Sequence, residues 1–218
     1  MKIVEKHTLA TRWFHWINFP ALGVMIWSGL LIYWANDIYY VGFGSTQVLH
    51  FFPDGFYRFL GASRHLADGM ALHFAFMWLF MINGILYVAY TAISGEWRAL
   101  VPGKHAFRDA WKFFLYETYL DRKQALPSFG RYSAAQQIAY TSIIVMGIFS
   151  VMTGIAIYKP VQYQWLALCF GGYEWSRLVH FYLALGYCIF FLVHITQVVR
   201  TGWSNFAGMV RGFEIEEE

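Results

Sequence analysis

The chain has 218 residues, of which 58% are hydrophobic, 21% aromatic and only 13% charged. A soluble domain carries about 25% charged residues, so this composition excludes an ordinary soluble protein and points to a chain that lives in a bilayer. The formal net charge of +3 gives no reason to expect a nucleic-acid partner, and two cysteines are too few for an iron–sulfur site, so any redox cofactor needs other ligands.

Four segments reach the roughly 20 apolar residues that a spanning helix needs. The first, about 11–34, carries Arg12 and His15 near its start and is too long for a signal-peptide core, so it reads as an uncleaved first span. Residues 35–64 follow, rich in Phe, Tyr and Gly and suited either to docking an external partner or to packing on helix ends. The second span covers about 67–93. Residues 94–134 mix aromatics with charges, at Trp97-Arg98-Ala99-Leu100 and again over 107–120, which predicts an amphipathic helix lying in the interface. A solvated connector is the alternative. The third span, about 135–158, stops just before Pro160. The fourth, about 175–199, holds Cys188, while Cys169 falls in a short loop before it, and no disulfide between them is expected. Glu214, Glu216, Glu217 and Glu218 read as a solvated acidic tail. No internal repeat is apparent. The fold expected is all-α, an integral membrane four-helix bundle forming one domain over 1–218.

Lysine and arginine set the orientation. Twelve of the 16 flank the first span's start, the connection between spans two and three, and the end of span four; Arg58, Arg64, Lys159 and Arg177 flank the other side. Both termini are therefore expected in the cytoplasm, in a bacterial inner membrane. With that topology the histidines sort by depth. His15 and His194 lie near the cytoplasmic face, His73 and His180 about two turns in from the outside. His180 and His194 are fourteen residues apart, which in one helix is roughly 21 Å of rise with a return to within about 40° of the same face. Intramembrane histidine marks a functional site by default, and haem iron takes axial histidine. Two level pairs, His15 with His194 and His73 with His180, would each clamp one haem. His65, beside Arg64, is the alternative outer ligand, while His7, His50 and His105 read as surface residues, with a place near a cytoplasmic-side pocket as the alternative for His7. Arg12 and Arg177, one turn before His15 and His180, are placed either to meet haem propionates or to anchor the interface. The small residues Gly23, Gly29, Ala71, Ala75, Gly147, Gly154, Ala184 and Gly186 would let a flat macrocycle approach the backbone, and they serve ordinary helix packing equally well.

This layout resembles the di-haem cytochrome b, or gamma, subunits of membrane-bound formate dehydrogenases and their relatives serving nickel–iron hydrogenases, thiosulfate reductases and other molybdopterin oxidoreductases. The similar pieces are Arg12-Trp13-Phe14-His15-Trp16, Leu72-His73-Phe74, Arg131-Tyr132-Ser133-Ala134-Ala135-Gln136, Thr153-Gly154 through Lys159-Pro160, and the His180/His194 spacing. The resemblance implies two haems b, ligated by His73 with His180 and by His15 with His194. It implies a menaquinone or ubiquinone near Tyr132, Ser133 and Gln136, where the family's Asn is Ser133, and an extracytoplasmic molybdopterin or iron–sulfur partner. The short acidic end, in place of the family's basic tail, favours a cousin serving another molybdenum enzyme. On this reading the chain carries electrons between that partner and the quinone pool. The rivals are a haem-free membrane anchor or assembly subunit, and a histidine-relay metal transporter; scarce acidic residues in the spans argue against a cation path.

Overall fold

A computed structural model describes every residue except 1, 6, 37, 44–45, 118–130, 202 and 217–218. Among the described residues it is mostly helical. Four helices are long and apolar enough to cross a membrane: α1 (Leu9–Trp34), α3 (Leu66–Ser94), α6 (Ala134–Tyr158) and α8 (Tyr173–Thr201). Their ends fall within two residues of those expected from hydropathy alone. Apolar side chains such as Ile85, Leu192 and Val199 stand exposed along them, as a lipid-facing surface requires.

By internal packing the chain divides into two units, residues 13–83 and residues 1–12 with 84–218. The first unit runs through α1, an antiparallel ribbon of β2 (Tyr40–Phe43) and β3 (Thr46–His50), the short helix α2 (Asp54–Phe59) and α3. Its core joins the end of α1 to α2 through Leu31, Tyr57 and Ala62, flanked by Leu30 and Leu60. Within α1, Pro20 cannot donate the bond that the Trp16 carbonyl would accept. At Gly69 an added Cβ would lie 2.8 Å from the Leu31 Cβ and 3.1 Å from the Ser28 carbonyl, so glycine there allows close helix contact.

The second unit runs through α6, the short helix α7 (Gln164–Cys169) and α8. Its core again joins the end of the preceding long helix to the short one, through Ala156, Leu166 and Ala167, flanked by Ile155 and Phe170. Before them come α4 (Trp97–Leu100) and α5 (Ala106–Glu117). Gln137 Nε2 donates to the Ala99 carbonyl at 3.2 Å and Thr141 Oγ1 to the Leu100 carbonyl at 2.9 Å, tying α4 to α6. Phe107, Trp111 and Phe114 stand exposed at helical spacing on α5, the apolar stripe expected of an interfacial helix. The rest of that expected helix, 118–120, and Arg122 and Lys123 lie outside the described residues.

Three expectations change. The acidic end is not a free tail: after α9 (Trp203–Arg211), β4 (Phe213–Glu216) pairs antiparallel with β1 (Lys2–Glu5), in the register Lys2↔Glu216 to Glu5↔Phe213. Backbone pairing decides this, and the charge pattern could not show it. Glu217 and Glu218 lie outside the described residues. Cys169 ends α7 and is not in a loop.

The third change is an internal repeat. Helices α3 and α8 are both 29 residues long, α2 and α7 both 6, and α1 and α6 are 26 and 25. At a constant offset of 125 residues, Thr8, His15, Ser28, Gly29 and Tyr33 fall on Ser133, Tyr140, Thr153, Gly154 and Tyr158. At 107 residues, Leu66, His73, Phe74 and Tyr87 fall on Tyr173, His180, Phe181 and His194. The two short helices end alike. Gly61 N–H donates to the Arg58 carbonyl and Ala62 N–H to that of Tyr57, just as Gly171 does to Leu168 and Gly172 to Ala167. Gly61 and Gly171 have φ of +62° and +90°, which only glycine adopts without strain.

Candidate cofactor site

His73 is the eighth residue of α3 and His180 the eighth of α8. Each meets a buried hydroxyl from the preceding long helix of its own unit. Ser28 Oγ lies 3.0 Å from His73 Nδ1, and Thr153 Oγ1 lies 2.9 Å from His180 Nδ1. Each hydroxyl also donates to the carbonyl four residues back in its own helix, Val24 or Phe149, at 2.7 Å. Glycine follows each hydroxyl. A Cβ on Gly29 would sit 3.6 Å from His73 Cε1, and one on Gly154 would sit 3.4 Å from His180 Cε1. The small residue lets the imidazole lie against the neighbouring backbone, and Ser28 and Thr153 are fully buried at 0% exposure.

The second histidine position differs between the halves. His15 lies thirteen residues before Ser28, and the matching place before Thr153 is Tyr140. His194 lies fourteen after His180, and the matching place after His73 is Tyr87. His15 packs edge-on against Trp16 at 5.2 Å, and His194 stacks on Phe190 at 5.8 Å with an interplanar angle of 5°. His65 makes an exposed pair with Asp68 at 2.8 Å. His7, expected at the surface, is buried, and its ring stacks on Tyr132 with centroids 6.3 Å apart.

Tyr132 itself is buried, packs edge-on against Tyr140 at 5.1 Å and carries the Arg131 guanidinium over its ring. Burial above all pushes its phenol pKa up; Glu96 adds to this and Arg131 opposes it, so the proton stays on Oη at neutral pH. Arg131 and Glu96 also pair at 3.3 Å. Ser133 and Gln136 form a capping box: Ser133 Oγ accepts from Gln136 N–H at 3.3 Å, and Gln136 Oε1 accepts from Ser133 N–H at 2.9 Å. The box uses both side chains as acceptors and leaves the Ser133 hydroxyl proton and the Gln136 amide protons as donors.

Of the two arginines, Arg177 pairs with Glu174 at 3.4 Å. Arg12 donates through Nη1 to the Val210 carbonyl at 2.7 Å, while its Nε is buried with no partner among the described residues. A buried guanidinium donor of this kind suits a carboxylate such as a propionate. Among the described residues no group of three or more His, Cys, Asp or Glu could hold a bare metal ion. Histidine set singly in apolar helices is a residue type that fits the iron of a macrocycle, which brings its own remaining ligands. Fold and site together define a membrane cytochrome b.

The comparisons agree. The sequence pattern of the prokaryotic cytochrome b561 family matches residues 6–212, and the chain belongs to that family. It is thus a haem b protein of membrane electron transport. It is also similar to the Azospira oryzae protein named "Putative protein-methionine-sulfoxide reductase subunit YedZ1", 29% identical over 199 residues, with 91% of each chain covered.

Proposed function

We propose that the chain, as one cytochrome b domain over 1–218, binds two haems b and carries electrons between the membrane quinone pool and an extracytoplasmic oxidoreductase. His73 and His180 would hold the outer haem, His15 and His194 the inner one. The observation that carries this reading is the repeated hydroxyl-held histidine, present once in each half. Bound haem b supplies reversible one-electron carriage, and the protein does the rest. Arg12 Nε answers a propionate of the inner group, and Arg177 is the matching cation for the outer one. Around the quinone, a menaquinone or ubiquinone, Tyr132 Oη, the Ser133 hydroxyl and the Gln136 amide donate hydrogen bonds to its ring oxygens. Tyr132 suits this task because its buried phenol carries a proton to donate.

The partner is a molybdopterin or iron–sulfur enzyme on the outer face. The reductase named for the similar Azospira protein favours outward flow, from quinol to a reductase acting on an oxidised sulfur substrate. Both termini lie in the cytoplasm; the positive-charge asymmetry and the β1–β4 pairing of the two chain ends support this. The test is a pyridine haemochrome assay with a reduced-minus-oxidised spectrum on purified, haem-replete protein. Two haems b per chain are expected, and none would sink the reading.

A further inference from the structure

We propose that Ser28 and Thr153 are matched positioning residues: each fixes its histidine, His73 or His180, as an Nδ1–H donor, presents Nε2 to iron, and so sets the potential of the haem held there. The choice of iron as Nε2's partner rests on the ligand reading above; the direction of the hydrogen bond does not.

A hydroxyl has one proton. At 2.7 Å from a helix carbonyl, which can only accept, that proton is committed to Val24 in one half and to Phe149 in the other. What each hydroxyl offers the ring is a lone pair. The contacts of 3.0 and 2.9 Å to Nδ1 therefore need a proton on Nδ1. A neutral imidazole with Nδ1–H has its lone pair on Nε2, the atom that can ligate. Back-bonding of serine and threonine to their own helix is common in membranes, and it explains each hydroxyl's carbonyl contact. It does not explain why a histidine, followed in both cases by phenylalanine, meets the hydroxyl of a hydroxyl–glycine pair in both halves. Accepting the Nδ1 proton raises the basicity of the ligating nitrogen, which favours oxidised iron and lowers the potential.

The experiment uses the full-length holoprotein with Ser28→Ala and Thr153→Val, and Ser28→Thr and Thr153→Ser as conservative controls. In a potentiometric titration both apolar variants are expected to move the same haem upward, by threefold to tenfold in its reduction equilibrium, tenfold being about 59 mV for one electron. The controls should stay within about twofold of the native chain. Retained haem with unmoved potentials overturns the inference and leaves the ligand reading intact. Two haems retained in His73→Ala would instead overturn the ligand reading. If the apolar variants do not accumulate, proton NMR of the native holoprotein decides: hydroxyl-held Nδ1 protons exchange slowly in D2O, and rapid exchange at both histidines overturns the inference.

Discussion

The first half of the molecule, α1 to α3, and the second, α6 to α8, are two versions of one design. They agree at one level and part at another. Both have a hydroxyl–glycine pair, a histidine eight residues into a 29-residue helix, and a six-residue helix closed by a left-handed glycine. They differ at His15 against Tyr140 and at Tyr87 against His194. One histidine position is thus present in both repeats, while the second histidine of each repeat lies on opposite members of its helix pair. The positions left over hold tyrosines, and Tyr140 packs against Tyr132 in the region proposed for quinone. The comparison teaches that a repeated element can keep one histidine position in both copies and hold tyrosine at the place of the other.

The comparison can be broken most severely at the ligands. His73→Ala and His180→Ala should each remove the same haem, leaving one per chain, whereas His15→Ala and His194→Ala should remove the other. Haem content with the spectral signature of the survivor checks this, and loss of different haems from His73→Ala and His180→Ala would break the pairing. Next come the unequal cores. Tyr57 is 1% exposed and is the fourth residue of its short helix, where the matching short helix has small Ala167. Tyr57→Ala should therefore cost about 3–5 kcal/mol, as large core truncations do. Ala167→Gly should cost about 1 kcal/mol; thermal unfolding in detergent measures both. Smallest is the effect at the helix starts. Thr8 Oγ1 accepts from Thr11 N–H at 3.3 Å, as Ser133 Oγ does from Gln136 N–H, but only Ser133 belongs to a reciprocal box. Each alanine variant should lose about 1 kcal/mol, with Thr8→Ala the more costly, because the Thr8 hydroxyl also meets the Tyr90 hydroxyl at 2.9 Å and Thr11 Oγ1 at 3.0 Å, while the bond from the Ser133 N–H to Gln136 Oε1 survives Ser133→Ala. Equal losses would show that the Tyr90 contact adds nothing to the cap.

How much of this was legible in the chain follows from which forces act locally. The four spans were readable to within two residues, because a bilayer demands a continuous apolar run and tolerates few charges. The family likeness was readable too, since it sits in short contiguous motifs. The repeat was not, because only a few positions in each helix pair carry it and the rest of the apolar sequence is interchangeable in lipid. His7 looked like a surface residue because nothing near it in sequence announces the Tyr132 ring, 125 residues away. The acidic end looked solvated because charge is visible in a sequence and a backbone partner at Lys2–Glu5 is not. The sequence alone therefore determined that this is a four-span membrane cytochrome, because the bilayer and the family motifs act through local sequence. The tertiary structure decided which hydroxyl holds which histidine and how the chain ends pair. Those bonds join segments 27, 45 and more than 200 residues apart, and no periodicity within one helix encodes what another presents to it.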